Sequence, residues 1–499
     1  MCKKWLILAV IGCLLLAVGC DTVTPATPSS PTTSTTEQPP TGVVGGTTPT
    51  LCWDPSDSID PYAAKTRTGR QLCTLLHDGL TAVGNDWSVS PLWAETVTQT
   101  DPTHLEVTLR ADAVFADGKP MTAEHVIASW GDAKKSDAYG ALVANIHSLK
   151  ATDRTLTVTL VAADTVNPTA SLSFPIVRRE KKTVVGCGRY VIDSKAGTLA
   201  VNPHHPDQPS IQSWKLYAVE SAEDLPYALA SGRVSLYTTD LHDGVMPSVA
   251  GDVRQETAVL PQLLYVGVNS NGGALKEALF RQALSLAVNR QVLCTDSFGG
   301  YAKATANPFL NGNSGEIGLL QENIAQAVAK WKELGYNDRQ SGVPSSANAK
   351  ALPELELLTL KEQPFHRAAA KRLCEQWQAV GLTVKEIPLS SAEYRARIRA
   401  GNFELYLGEI RLSEDRSLRP WLSESGNAAV ALPDGATADY AAYLAGEMTA
   451  EEYRQTFADT LPFIPLCWRM GAAVCGNSLS GLSLGGPSFY SGIVHWKWS

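Results

Sequence analysis

Beyond its first twenty residues, this chain of 499 has no stretch long and apolar enough to span a bilayer as a helix. It has no basic surplus either: 42 Lys and Arg face 50 Asp and Glu, and the net charge is −8. With no basic cluster to offset that balance, the sequence argues against nucleic acid as a partner. There is no C-x-x-C pair. Of ten cysteines, Cys2, Cys13 and Cys20 fall within or at the end of an N-terminal leader. Cys52, Cys73, Cys187, Cys294, Cys374, Cys467 and Cys475 remain, odd in number and widely scattered. That distribution supports neither a zinc site nor a dense disulfide framework. Cys467 and Cys475 could face each other across a hairpin, a pairing the sequence does not decide. Catalytic signatures are missing too: there is no G-x-S-x-G elbow, no H-E-x-x-H pair and no G-x-x-x-x-G-K-S/T phosphate loop. Paired carboxylates of the glycoside-hydrolase kind lie far apart in sequence and stay open, which keeps a secreted hydrolase as a rival reading.

What is present begins with an address. Lys3 and Lys4 form a short positive region, and Trp5 to Val18 is almost wholly apolar but too short and sharply ended for a good span. Leu15-Leu16-Ala17-Val18-Gly19-Cys20 is similar to a lipobox, with Ala17 where Leu is usual. Residues 1–20 are therefore read as a lipoprotein signal peptide with Cys20 as the lipidation site, a plain signal peptide or an uncleaved anchor being the alternatives. Residues 21–49 are rich in Thr, Pro and Ser with almost nothing to bury, and read as a disordered tether.

The most informative stretch is Leu105 to Trp130. Leu105, Val107 and Leu109 alternate with polar residues, the period of a half-buried strand. Ala116-Asp117-Gly118 is a turn, Thr122 an N-cap, and Val126, Ile127 and Trp130 the apolar stripe of a helix. The residue order, LR-x-D-A-x-F-x-D-G-K-P-x-T-A-E-x-V-x-x-S-W, closely resembles the signature of family 5 extracellular solute-binding proteins, the oligopeptide, dipeptide and nickel receptors of bacterial ABC importers. Further segments are similar to that family: Ser58-Ile59-Asp60-Pro61, Asp78-Gly79-Leu80-Thr81, Pro91 to Glu95, Val184 to Val191, and Ala228 to Leu236. Leu264 to Asn269 reads as a buried strand, and Leu275 to Arg290 carries apolar positions at helical spacing. Strand and helix then alternate: a helix over 317–336, a strand over Leu355–Leu360, a helix from Phe365 to Val380, a strand from Leu382 to Ile387, a strand at Gly401 to Leu405, a helix at Glu451 to Asp459, and a strand at Leu461 to Leu466. Such alternation implies an α/β lobe.

The resemblance implies a two-lobed, type II-like periplasmic-binding-protein architecture, with an extra subdomain in lobe 1 and a two-strand hinge near 262–269 and 461–468. Lobe 1 would span 50–265, lobe 2 266–462, and 463–499 would return to lobe 1. It implies a monomeric binding protein without cofactor or metal, holding a small peptide or similar solute and serving ABC permease subunits, anchored outside the cytoplasm only through its lipid. A ligand-sensing receptor is the second alternative. Ligand-facing positions carried over from the family are Thr66, Arg67, Tyr237, Thr238, Thr239, Tyr265 and Asn269, then Arg411, Ser413 and Asp415 after the Gly401 segment, and Trp468. For Tyr237, Tyr265 and Trp468, core packing competes with ligand contact. Family peptide receptors pair an Asp with the peptide ammonium; here Ser413 takes that place, so either Asp415 has shifted into the role or the ligand has no ammonium there. The adjacent His204 and His205 are badly placed to share one metal ion, since neighbouring side chains of an extended chain point apart.

Overall fold

The computed structural model describes residues 48–181, 183–219, 224–241, 245–310, 322–336 and 349–499. The leader, Cys20, nearly all of the tether and the first part of the helix expected over 317–336 lie outside them. No helix among the described residues is long and apolar enough to cross a membrane.

The chain opens with β1 (Thr50–Trp53) and α1 (Arg67–Leu76). β2 (Ala94–Asp101) and β3 (His104–Leu109) form a hairpin in which Leu105, Val107 and Leu109 are buried and Glu106 faces solvent. The turn after it places Gly118 at φ 77°, a conformation glycine reaches at no steric cost. α2 (Ala123–Ala133) starts at Thr122, whose N–H donates to Nδ1 of His125 at 3.1 Å, so His does the work usually given to Glu in a capping box. Val126 and Trp130 face the core, and Ile127 is half-buried. β4 (Ile146–Thr152) and β5 (Thr155–Leu160) complete an antiparallel sheet ordered β2-β3-β5-β4, with its own core running from Leu80 to Cys187. This is the extra subdomain.

β6 (Tyr190–Asp193), β7 (Thr198–Val201) and β8 (Ser213–Ala218) join β1 in a second sheet, β1 running parallel to β8. β9 (Leu236–Thr239) leads to β10 (Val253–Val268), much longer than the strand read from the sequence. The helical period after it resolves into two helices, α3 (Ala278–Leu286) and α4 (Arg290–Phe298). Asn289 separates them, its side chain accepting from the Val292 N–H at 2.8 Å as an N-cap. Lobe 2 continues through β11 (Ala302–Ala304), α5 (Ile324–Glu333), β12 (Leu355–Leu360), α6 (Pro364–Ala379), β13 (Val384–Leu389), β14 (Leu405–Arg411) and α7 (Ala450–Thr460). β15 (Phe463–Gly476) then returns the chain to lobe 1.

One seven-stranded sheet unites both lobes, in the order β9-β15-β10-β14-β12-β13 with β11 added against β15. β10 and β15 pair antiparallel from Val253 opposite Gly476 to Gly267 opposite Phe463, with a register break between Val259 and Leu263. On one side of that break the pair carries β9, on the other β11 and β14. The fold is thus the α/β two-lobed arrangement with a two-strand connection. One apolar core gathers residues from Leu263 to Trp468, while another draws together Leu51, Leu72, Trp214, Ala473 and Trp496.

Two glycines are required by the β10–β14 ladder. Gly267 faces Tyr406 and Gly408 faces Tyr265. A Cβ on Gly267 would come within 2.1 Å of the Tyr406 ring, and one on Gly408 within 2.6 Å of the Tyr265 ring. Each tyrosine therefore lies across the bare backbone of the facing strand. The open question of Cys467 and Cys475 closes here: both belong to β15. Eight positions along one strand amount to roughly 26 Å, several times the Cα span of a disulfide. All seven described cysteines are free.

Candidate ligand-binding cleft

The residues expected to face ligand divide by what their side chains already do. Thr66 is the N-cap of α1: its Oγ1 accepts from the Gly69 N–H at 3.0 Å and donates to Asp57 at 2.6 Å. Arg67 reaches β9 and donates to the Thr238 carbonyl, bringing two distant segments of the sequence together. Its Nη1 is buried with no hydrogen-bond partner among the described residues. Tyr237 and Thr238 are buried beside it, and Thr239 accepts from the Leu241 N–H at 3.1 Å. Tyr265 packs inside lobe 2, edge-on to Tyr406, Trp421 and Phe463, with its hydroxyl 3.2 Å from that of Tyr406. Burial, then the neighbouring Tyr406, pushes its phenol well above the ordinary value. Asn269 donates to the carbonyls of Gly401 and Phe403 at 3.0 and 2.8 Å, tying the end of β10 to the turn before β14.

Arg411, exposed at the end of β14, donates to the Pro487 carbonyl of lobe 1 at 3.0 Å. Ser413 is half-buried, its carbonyl accepting from the Arg416 N–H at 2.9 Å. Asp415 is not a solvated acid. Its side chain is 7% exposed, 3.6 Å from Arg419, which in turn holds Asp164 of the subdomain at 2.8 Å. Burial pushes the Asp415 carboxyl up and Arg419 opposes that shift. Asn167 also donates to the Asp415 carbonyl, at 3.3 Å, and the Thr165 N–H donates to Leu444 at 2.7 Å. The subdomain and lobe 2 are clasped at this edge.

Where β10 and β15 pass between the lobes there is a cavity of about 640 Å³. Small-molecule sites commonly measure roughly 300–1,000 Å³. Thr257 and Val259 of β10 and Trp468 of β15 line it; lobe 1 contributes Trp87 and Leu484, lobe 2 Lys303, Asn307 and Phe309. Of the expected residues only Trp468 lines this space. Trp87 sits at φ 65°, a strained backbone for a bulky residue, and Arg416 lies 5.8 Å from its ring across the cleft. Beside β10 and β15 a charged group is sealed in. The Glu409 carboxylate on β14 lies 2.9 Å from Nε2 of His366 and 3.3 Å from Nη1 of Arg469, and accepts from Gln262. Arg469 is 2% exposed and also donates to the Leu241 carbonyl at 3.0 Å.

The model of the bacterial extracellular solute-binding proteins, family 5 middle, matches residues 88–428. This chain belongs to that family. The solute-binding protein is 23% identical over 399 residues, 70% of its length and 72% of the other's, to the probable deoxycholate-binding periplasmic protein YgiS of Escherichia coli (strain K12). It is 24% identical over 334 residues, 60% of its length and 61% of the other's, to the probable D,D-dipeptide-binding periplasmic protein DdpA of the same organism. Its fold matches the unliganded open form of the periplasmic murein tripeptide binding protein MppA with a TM-score of 0.73 at 19% identity, covering 92% of this chain and 99% of that one. These relatives are binding proteins rather than enzymes, and so is this one.

Among the described residues of the solute-binding protein, no group of three or more His, Cys, Asp or Glu could hold a metal ion. His205 is buried, 3.2 Å from Asp78, while His204 faces out. Sequence reasoning missed Trp87, Lys303 and Phe309, which sit in turns and short strands without periodicity, and the Glu409 group. An aromatic after Gly84-Asn85-Asp86 carries no signal that separates a cleft wall from an ordinary turn.

Proposed function

We propose that the protein captures a peptide-type solute between its lobes and passes it to the permease subunits of an ABC importer, while held outside the cytoplasm by lipid on Cys20. The observation that carries this reading is the cavity at the crossing strands, walled by Trp87 from one lobe and by Lys303 and Phe309 from the other. Residues 50–265 with 463–499 form one lobe and 266–462 the other, the inner ends of β10 and β15 packing into the core of the second, and the protein works as a monomer. Trp468 and Trp87 supply apolar walls. Lys303 offers positive charge to a solute carboxylate, because a charge leaving water needs an opposite one. Asp415 is already engaged by Arg419, so the ammonium of a peptide is not its partner. Names of relatives that mention a murein tripeptide or a D,D-dipeptide support a small peptide derivative as the solute.

Mass spectrometry of the solute extracted from purified protein, followed by small-angle scattering with and without it, tests the reading. An unmodified carboxylate-bearing solute at one per chain, with a smaller radius of gyration at saturation, is expected. A radius unchanged at saturation would refute capture between lobes. The anchor is tested separately: Cys20→Ala should abolish lipid labelling, and labelling that persists would refute it.

A further inference from the structure

α4 and β15 run side by side in lobe 2 and touch at successive levels. Nε of Arg290 donates to the Pro465 carbonyl at 2.8 Å. Further along, the guanidinium of Arg469 lies 4.5 Å from the centre of the Phe298 ring. Helix positions 290, 294 and 298 are spaced by about one turn, or roughly 6 Å of rise per step. Strand positions 467 and 469, in regular register with Ala304 and Ala302 of β11, share one face roughly 6.6 Å apart. Cys294 lies one turn from Phe298 on α4 and Cys467 two residues from Arg469 on β15, so the contact of Arg469 with Phe298 sets the two cysteines at one level. Both residues are fully buried. The neighbouring Cys467 thiol, aided by Arg290 and Arg469, holds the Cys294 thiol below its usual value, while Cys294 and burial push Cys467 up.

We propose that Cys294 and Cys467 are joined by a disulfide in the exported protein, a modification site that clamps α4 to the strand by which the chain leaves lobe 2. Membership of an extracellular family puts the chain where disulfides form and persist. The oxidant is an oxidised dithiol. The Cys294 thiolate attacks one of its sulfurs, giving a mixed disulfide and one free thiolate. Cys467 gives up its proton and attacks the Cys294 sulfur, closing the bond and expelling the oxidant's second thiolate. Two protons and two electrons leave on the oxidant, which ends as a dithiol. Both sulfurs are sealed from solvent in the fold, so the bond forms before α4 packs and afterwards resists reduction.

The test is non-reducing peptide mapping of the full chain recovered from an oxidising compartment, alkylated while denatured and without reductant. A linked pair of peptides containing Cys294 and Cys467, about 2 Da lighter than their sum and separated by reduction, is expected. Alkylation of both residues, or a link from either to another cysteine, would overturn the proposal. A second measurement compares thermal midpoints before and after reduction under denaturing conditions and refolding. The wild type should lose several degrees and the Cys294→Ala, Cys467→Ala double variant none; equal losses in both would also overturn it.

Discussion

Replacing Glu409 by alanine removes a carboxylate that faces a buried guanidinium. The change deletes a carboxylate partner of an Arg469 side chain that is 2% exposed, and removes an acceptor for His366 and Gln262 at once. Arg469 cannot turn to water: its guanidinium lies 4.5 and 5.3 Å from the rings of Phe298 and Phe365 and remains bonded to the Leu241 carbonyl. Removing one partner of a buried ion pair costs about 3–5 kcal/mol. In a lobe of roughly 200 residues, each kcal/mol lowers the midpoint by about 2–4 °C, so a fall of about 10 °C is expected. Removing both charges should cost far less, because the desolvation penalty leaves with them. The assay is thermal and denaturant unfolding of wild type, Glu409→Ala, Arg469→Met and the combination Glu409→Leu, Arg469→Met. A single variant within about 0.5 kcal/mol of wild type, or a double variant whose loss equals the sum of the singles, refutes the reasoning.

Other outcomes follow from the same geometry. Gly267→Ala sets a methyl within 2.1 Å of Tyr406 and should cost about 1–3 kcal/mol, measured by denaturant unfolding, with Tyr406→Ala in the same chain relieving the clash. Hydrogen bonds from Thr66, Lys65 and Ser58 outweigh burial and hold the Asp57 carboxyl down at about 2. A depressed carboxyl stabilises above its unfolded pKa and loses that contribution as pH falls through the folded one. The destabilisation by Asp57→Asn should therefore be constant above about pH 4 and fade between about pH 4 and 2, read from midpoints across that range. Trp87→Gly removes a cleft wall and relieves a positive φ, so solute affinity should fall about tenfold by calorimetry while the thermal midpoint stays level or rises.

Local signals carried much of the fold. β12 has the sequence-predicted ends, Leu355 and Leu360, because one alternating and apolar run is bounded by turn residues. Gly335 and Gly381, at φ 82° and 88°, mark helix ends because the left-handed conformation there suits glycine. The lengths of β10 and β15 were not legible. β15 is buried on both faces for nearly its whole run, so the period-two signal vanishes, and Arg469 and Gly471 within it look like loop residues. The break at Asn289 hid for a related reason: Ala287 and Val288 continue the apolar spacing of α3 into the cap of α4. In the cleft, Trp468 was readable as an aromatic beside a crossing strand. Glu409, Arg469, Gln262 and His366 were not, because charged and amide residues read as surface until sheet order brings β15, β10 and β14 side by side. Asp415 was read as a ligand-facing acid, because nothing local showed that Arg419, held also by Asp164 far off in sequence, already engages it.

The interleaved core of lobe 1 bears on how the protein is made. Leu51 and Trp53 pack with Ala473, Tyr490 and Trp496, and Ser488 bonds to Gln71 across 417 positions of chain. Such contacts span most of the chain, and closing them waits on slow loop closures. Lobe 2, whose core runs within Leu263 to Trp468, draws on a continuous segment and can settle first. During synthesis the core of lobe 1 therefore cannot close until Tyr490 and Trp496 have emerged. A truncation of the final twenty-odd residues, about the length of a terminal tag, would strip Tyr490, Ile493 and Trp496 from that core and turn an ordinary C-terminal edit into a folding defect.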